Sequence, residues 1–323
     1  MPICDWNNFI KNPTAIAIMG PTASGKTALA LALADYLPIE IINVDSVLIY
    51  RDLNIGAAKP TDAELAQVPH HLINFLGQNE SYSVADFVTD AQRIAKEIFA
   101  RGKIPVLVGG TMMYFNALTQ GLSDLPSADP SVRARLQAEF EESPANLHAK
   151  LQAIDPQAAA RINQADQQRL IRALEVYEIS GHTLTSLQHS RSSAWTFPLV
   201  KLVLMPASRQ ALHEKIAQRL EGMFAAGLVA EVASLAQQPE HDPDSPAMRS
   251  VGYRQVLDHF AGEYPEALVF EKALVATRQL AKRQITWLRK EDEAAIFDPY
   301  SVSEDTLTQQ VLEHLTLNCK NIA

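Results

Sequence analysis

The residues best equipped for chemistry lie near the start of the chain. Gly20-Pro21-Thr22-Ala23-Ser24-Gly25-Lys26-Thr27 has the G-x-x-x-x-G-K-T spacing of a P-loop. Such a turn presents backbone N–H groups to a di- or triphosphate, its lysine adds a point charge, and its threonine hydroxyl is placed to hold Mg²⁺. Asp45, after a second apolar run, has three readings: an acidic Mg²⁺ partner in a nucleotide hydrolase, a base acting on a second substrate, or a turn aspartate capping the next segment. Arg219 reads equally as a solvated arginine or a phosphate clamp. Arg249-Ser250-Val251-Gly252-Tyr253-Arg254 sets two arginines around a flexible glycine. The stretch 277–290, TRQLAKRQITWLRK, holds five basic residues and no acidic one. At helical spacing Arg278, Lys282 and Arg289 fall within about 40° of one another. That strip is the best candidate for contact with RNA phosphates, the alternative being a solvated helix face.

These groups need elements to position them. Ala15-Ile16-Ala17-Ile18-Met19 reads as a buried strand entering the P-loop. Leu and Ala alternate through 28–37, which alone would suit a strand, but both are strong helix formers, so a helix is expected, ended by Pro38. A second strand, 40–44, delivers Asp45 and Ser46 at its C-terminal tip, the end at which open α/β sheets bind ligands. Ser83 caps a helix running to Ala100. A third strand, 104–108, ends in Gly109-Gly110-Thr111 where a nucleotide hydrolase would carry an aspartate, which weakens the hydrolase reading. From 122 to 197 strand-like runs are absent. Asp129 caps a helix with Pro130 at its first position, and 166–180 forms another, closed by Gly181. Leu170, Ile171, Leu174 and Tyr177 share the apolar face of the latter, opposite Arg169 and Arg172. Strand character returns at 199–205, and Ser208 caps a helix with the stripe Leu212, Ile216, Leu220 and Phe224. The expected fold is an α/β core, 1–121 and 198–323, interrupted by an all-helical insertion at 122–197.

The 323 residues are 47% hydrophobic and 20% charged, as in ordinary globular proteins. A net charge of −9 argues mildly against a nucleic-acid partner, although a local basic surface overrides an average. No apolar run approaches the ~18 residues of a membrane span, and the N-terminus lacks the pattern of a signal peptide. Cys4 and Cys319 belong to no C-x-x-C pair, so reduced thiols, a cytoplasmic location and no zinc site are expected. Of the adjacent His70 and His71, one is expected to be buried and hydrogen-bonded rather than a metal ligand.

Several long segments together resemble the tRNA dimethylallyltransferases, also called tRNA isopentenyltransferases, of bacterial type. They include GPTASGKTALA, NVDSVLIYRDLNIGAAKP, PHHL, YSVADF, IPVLVGGTMMYF, LPSADPSVRARL, QQRLIRALEVYEISG, SVGYRQ and TRQLAKRQITWLR, and so cover nearly the whole chain. The resemblance implies a P-loop-kinase-like core that binds dimethylallyl diphosphate in place of ATP, and an insertion that grips the tRNA anticodon stem-loop. The acceptor would be the adenosine immediately 3′ of the anticodon in tRNAs reading codons that begin with U. Carried over, Gly20 to Thr27 would bind the diphosphate, Thr27 would assist Mg²⁺, Arg219 would hold diphosphate oxygens and Asp45 would be the general base. Thr111 and Arg133 match positions that shape tRNA recognition. Further tRNA contacts would come from Ser46, Val47 and Leu48, from Gln168, Arg169, Leu170, Ile171 and Arg172, from Arg249 through Arg254, and from a last segment including Arg278, Gln279, Lys282 and Arg283. A monomer is expected. Val47, Leu48 and Asn54 depart mildly from the family pattern, and Asp52 stands where it has glycine.

Overall fold

The computed structural model describes residues 6–188, 191–192 and 195–322. The chain divides into two compact units, one formed by 1–116 and 195–323, the other by 117–194. In the first, strands β1 (Ala15–Met19), β2 (Ile39–Val44), β3 (His70–His71), β4 (Ile104–Gly109), β7 (Leu199–Leu204) and β8 (Ala295–Phe297) form one sheet in the order β3-β2-β4-β1-β7-β8. Every pairing in it is parallel. β1, β2 and β4 are buried along their whole length. Their near-continuous Ile/Val/Leu runs suit a sheet covered on both faces.

Register decides what the sheet presents. Gly109 pairs with Met19 of β1 on one side and with Val44 of β2 on the other. The residues that follow, Gly20, Gly110 and Asp45, therefore emerge side by side at one sheet edge. A Cβ on Gly109 would lie 1.9 Å from the Val44 carbonyl oxygen, so only glycine allows the strands to approach this closely.

The helices form largely where capping and periodicity place them. Ser83 accepts from the Asp86 N–H in a full capping box at the start of Val84–Ala100, whose inner face carries Phe87, Ala91, Ile94 and Ile98. The long Val269–Leu288 helix packs on Arg209–Ala225 through Leu212, Ile216 and Ala281. Sequence patterning does not reveal β3 and β8. They are edge strands of two and three residues, too short for periodicity to register. Both histidines of β3 are half-buried and hydrogen-bonded, His70 Nδ1 to Val68 O at 2.7 Å and His71 Nε2 to Glu40 at 2.7 Å. Cys319 is buried and disulfide-bonded, which corrects the expected reduced thiol; the count of cysteines carries no information on which thiols the fold engages. Cys4 lies outside the described residues. No helix among the described residues is long and apolar enough to cross a membrane.

The second unit is built on Pro130–Glu142, Pro144–Ile154, Pro156–Arg161 and Gln167–Ser180, each with an Asp or Ser cap. Leu136, Leu147, Leu151, Leu170 and Leu174 form its core. It is not wholly helical. β5 (Leu122–Ser123) and β6 (Arg191–Ser192) pair antiparallel, a two-residue ribbon too short to leave any sequence pattern.

Candidate active site

The P-loop joins β1 to the Lys26–Ala34 helix. A Cβ on Gly20 would meet Ser24 Oγ at 2.5 Å and Leu204 O at 2.9 Å, so the entry to the turn requires glycine. Gly25 occupies the helix N-cap at φ 83° and provides no side-chain cap. The first-turn N–H groups are thereby left for an anion, at the positive end of the helix dipole. Lys26 Nζ donates to Pro21 O at 2.8 Å, and the Tyr300 hydroxyl braces the loop from behind by donating to Ala23 O at 2.8 Å.

A cavity of about 170 Å³ opens over this loop, lined by Thr22, Lys26, Thr27, Asp45, Gly110 and Arg219 among others. Burial pushes the Lys26 ammonium down to about 7, Arg219 adds repulsion, and Asp45 opposes both. Desolvation also holds Arg219 below its ordinary value, again against Asp45, yet a guanidinium keeps its charge. Two cations thus converge where a bound anion would relieve their desolvation and mutual repulsion. The Thr27 side chain is exposed at the helix start, and its hydroxyl has no hydrogen-bond partner among the described residues.

Asp45 faces the same cavity. Its Oδ1 accepts from the N–H groups of Val47 at 2.8 Å and Leu48 at 3.4 Å, while Oδ2 accepts from none of the described residues. One oxygen caps the turn and orients the carboxylate, and the other is left able to take a proton. Thr111 Oγ1 accepts from the Ser46 N–H at 3.2 Å and ties the tips of β2 and β4 together. Ile73, Val108, Ile216, Leu220, Met223 and Leu280 supply apolar wall to the same cavity. The site can therefore neutralise a diphosphate at one end, accept a proton near it, and shelter a short hydrocarbon.

Sequence reasoning missed two residues that position this site. Gln284 accepts from Thr22 N–H at 2.8 Å and donates to Gly110 O at 2.9 Å, fastening the P-loop to the β4 tip. A Cβ on Gly110 would collide with Gln284 Nε2 at 2.4 Å, so the glycine makes room for the bridge. The spacing of Thr277, Leu280 and Gln284, all lining the cavity, was the available signal. Glu231 accepts from the N–H groups of Asn54 (3.2 Å), Ile55 (2.8 Å) and Gly56 (3.2 Å), and from the Tyr253 hydroxyl at 2.5 Å. It fixes the turn carrying Gly56, Ala57 and Ala58 in the cavity wall. Nothing around Glu231 in the sequence announces this.

The residues expected to touch tRNA sort into three groups. Leu170, Ile171 and Tyr253 are buried, the first two in the core of the 117–194 unit and the third beneath the Gly56 turn. Their side chains pack inward, so any RNA contact at these positions falls to the backbone. Arg133 and Arg172 both bind Glu175, at 2.9 and 2.8 Å, and Arg172 also donates to Pro126 O at 2.7 Å. Burial alone would raise Glu175, but Arg172 and Arg133 outweigh it and hold the carboxyl below its usual range. Arg169 pairs with Asp166, Arg249 with Asp244 at 3.6 Å, and Arg254 with Asp244 at 3.3 Å and Asp258 at 2.7 Å. By contrast, Arg278, Lys282 and Arg283 make no ion pair among the described residues. Lys282, Arg283, Gln279, Gln168 and Ser46 are exposed, and Val47, Leu48 and Val251 line the cavity.

Comparison with known proteins agrees with this geometry. The family model described as IPP transferase matches residues 48–291. The tRNA dimethylallyltransferase of Hydrogenovibrio crunogenus is 52% identical over 315 residues, 97% of either chain. That of Alkalilimnicola ehrlichii is 50% identical over 93% of this chain and 95% of its own. Among solved structures, the full-length tRNA isopentenylpyrophosphate transferase of Bacillus halodurans superposes with a TM-score of 0.71 at 34% identity, covering 96% of this chain and 97% of that one. A eukaryotic dimethylallyltransferase, in a study of its action on tRNA, gives a TM-score of 0.76 at 26% identity over 92% of this chain and 77% of its own.

Proposed function

Because this chain belongs to the tRNA dimethylallyltransferase family, we propose that it transfers a dimethylallyl group from dimethylallyl diphosphate to an adenosine of tRNA. The acceptor is the exocyclic amine of the adenosine immediately 3′ of the anticodon, in tRNAs reading codons that begin with U, and diphosphate is released. The observation that carries the reading is a single cavity in which Lys26 and Arg219 face Asp45 between apolar walls.

The adenine amine is a weak nucleophile, since its lone pair is delocalised into the ring, so the reaction depends on the leaving group. The N-terminal amides of the Lys26–Ala34 helix, Lys26 and Arg219 take up the charge that grows on the departing diphosphate. Positive charge grows at the same time on the allylic carbon. The apolar wall keeps water from capturing it. The amine forms the new C–N bond, and Asp45 Oδ2 accepts the proton it loses. The acceptor base must leave the anticodon loop to enter the cavity, and a loop base is less costly to unstack than a paired one.

A divalent cation fits these residues. The Thr27 hydroxyl is unengaged, and oxygen donors of this kind suit Mg²⁺, which is held by few protein groups together with substrate phosphates. No cluster of three His, Cys, Asp or Glu able to hold a metal exists among the described residues. Mg²⁺ at Thr27 would supply further neutralisation of the leaving group.

The test supplies labelled dimethylallyl diphosphate with tRNA, AMP or ATP. Label in tRNA alone supports the reading. Label in AMP or ATP would instead identify an adenylate isopentenyltransferase.

A further inference from the structure

On the Arg209–Ala225 helix, away from the P-loop cavity, a second recess is lined by Arg209, Gln210, His213, Glu214 and Ala217. Arg278 of the Val269–Leu288 helix closes it. Among the described residues its cations make no ion pair. Arg278 Nε is buried without a hydrogen-bond partner among the described residues. Arg209 makes no ion pair among the described residues, and its Nε donates to His213 Nε2 at 3.5 Å, which places a lone pair rather than a proton on that nitrogen. Glu214, the one carboxylate lining the recess, is engaged by the Gln210 side-chain amide at 2.9 Å. A buried N–H without an acceptor is costly, and here it borders an open recess with a second guanidinium.

We propose that Arg209, His213 and Arg278 form a phosphate-binding site, which in the working enzyme takes one phosphodiester of the RNA. Guanidiniums from two helices offer planar N–H pairs to the phosphate oxygens. His213 is held below its ordinary value by burial, then by Arg278 and Arg209. A bound phosphate offsets that repulsion and draws Arg209 Nε away from the ring, so His213 Nε2 takes up a proton and donates a further hydrogen bond. The groups that face His213 and set this response are Arg209 and Glu214 on its own helix and Arg278 on the packed one. The RNA as source rests on the function proposed above, whereas the phosphate chemistry does not.

The experiment follows the His213 ring by NMR as pH is varied, its signal assigned by its loss in His213→Gln. The protein is titrated alone, with inorganic phosphate, and with an anticodon stem-loop RNA. Movement of the His213 midpoint to higher pH with RNA, together with a salt slope of RNA binding shallower by about 0.7–0.9 in Arg209→Gln, supports a phosphodiester contact. Movement with inorganic phosphate but not with RNA supports the site and identifies its ligand as a free anion. A midpoint unmoved by either overturns the proposal. If Arg209→Gln does not fold, the salt slope of His213→Gln, measured on the acid side of the RNA-bound midpoint, gives the same reading. Wild-type protein that ignores the RNA altogether contradicts the function proposed above, and the phosphate arm still decides the site.

Discussion

Two pairs of cations in this molecule look alike in the sequence and differ in what completes them. In the 117–194 unit Arg133 and Arg172 converge on Glu175, a carboxylate with no solvent exposure. In the P-loop cavity Lys26 and Arg219 converge with Asp45 as the one opposing charge among the described residues, and desolvation disfavours the charged form of both. The first pair carries its anion in the fold. The second has one carboxylate against two desolvated cations, and we read it as a place for a bound anion. Arg209 and Arg278 fall with the second kind, and the arginines around Asp244 with the first.

The contrast is broken most severely at Lys26. Lys26→Ala removes a charge that the leaving group needs in ground and transition states, so turnover should fall by roughly 10²–10³-fold, with dimethylallyl diphosphate affinity falling alongside. Affinity for tRNA without the isoprenoid should stay put. A variant that lost only tRNA binding would mean that the loop serves the RNA backbone.

A smaller effect is expected on the Val269–Leu288 helix. Replacing Arg278, Lys282 and Arg283 with Ala should flatten the log–log salt dependence of anticodon stem-loop binding by up to about two units, at about 0.7–0.9 for each phosphate no longer neutralised, with Arg283 contributing least because it points off the face shared by the other two. An unchanged slope would show that charges unpaired among the described residues are also unpaired in the complex.

The third effect is one of pH. In the empty enzyme Lys26 loses its proton near pH 7, and a bound diphosphate holds the ammonium form. Binding should therefore take up a proton above pH 7, and affinity should weaken as pH rises, by at most about tenfold per unit. The phosphate's own second ionisation, near ~6, is complete by then. Calorimetry at pH 8 in buffers of different ionisation heat should report uptake in the wild type and none in Lys26→Ala.

The smallest change belongs to the closed pair. Arg133→Ala leaves Glu175 with Arg172, and the arginine removed is itself half-exposed, so stability should fall by about 1 kcal/mol. The salt slope for RNA should not move. A clear drop in slope would return Arg133 to the RNA interface.

Much of this site was legible because its signals are local. The P-loop spacing, the strand tips bearing Asp45 and Thr111, and the capping residues each act within a few positions. Leu170 and Ile171 are instructive, since their periodicity already placed them on an apolar face, and both side chains are buried in the core of their unit. What was not legible acts across the chain. Gln284 meets Thr22 at a separation of 262 residues, and Glu231 meets Ile55 at 176. Partnership is similarly invisible: Glu175 stands one turn from Arg172, yet nothing in its spacing reveals that it is buried or that Arg133 joins it.

The central claim is that Asp45 takes the proton from the acceptor amine in this cavity. Asp45→Asn keeps the size of the side chain and an oxygen for the Val47 and Leu48 N–H groups, and removes the basic oxygen. Single-turnover transfer of labelled dimethylallyl to tRNA, measured beside tRNA affinity, separates the two roles. The account predicts a rate lowered by roughly 10²–10⁴-fold with affinity nearly unchanged. A near-wild-type rate would contradict it and return Asp45 to the role of a turn cap.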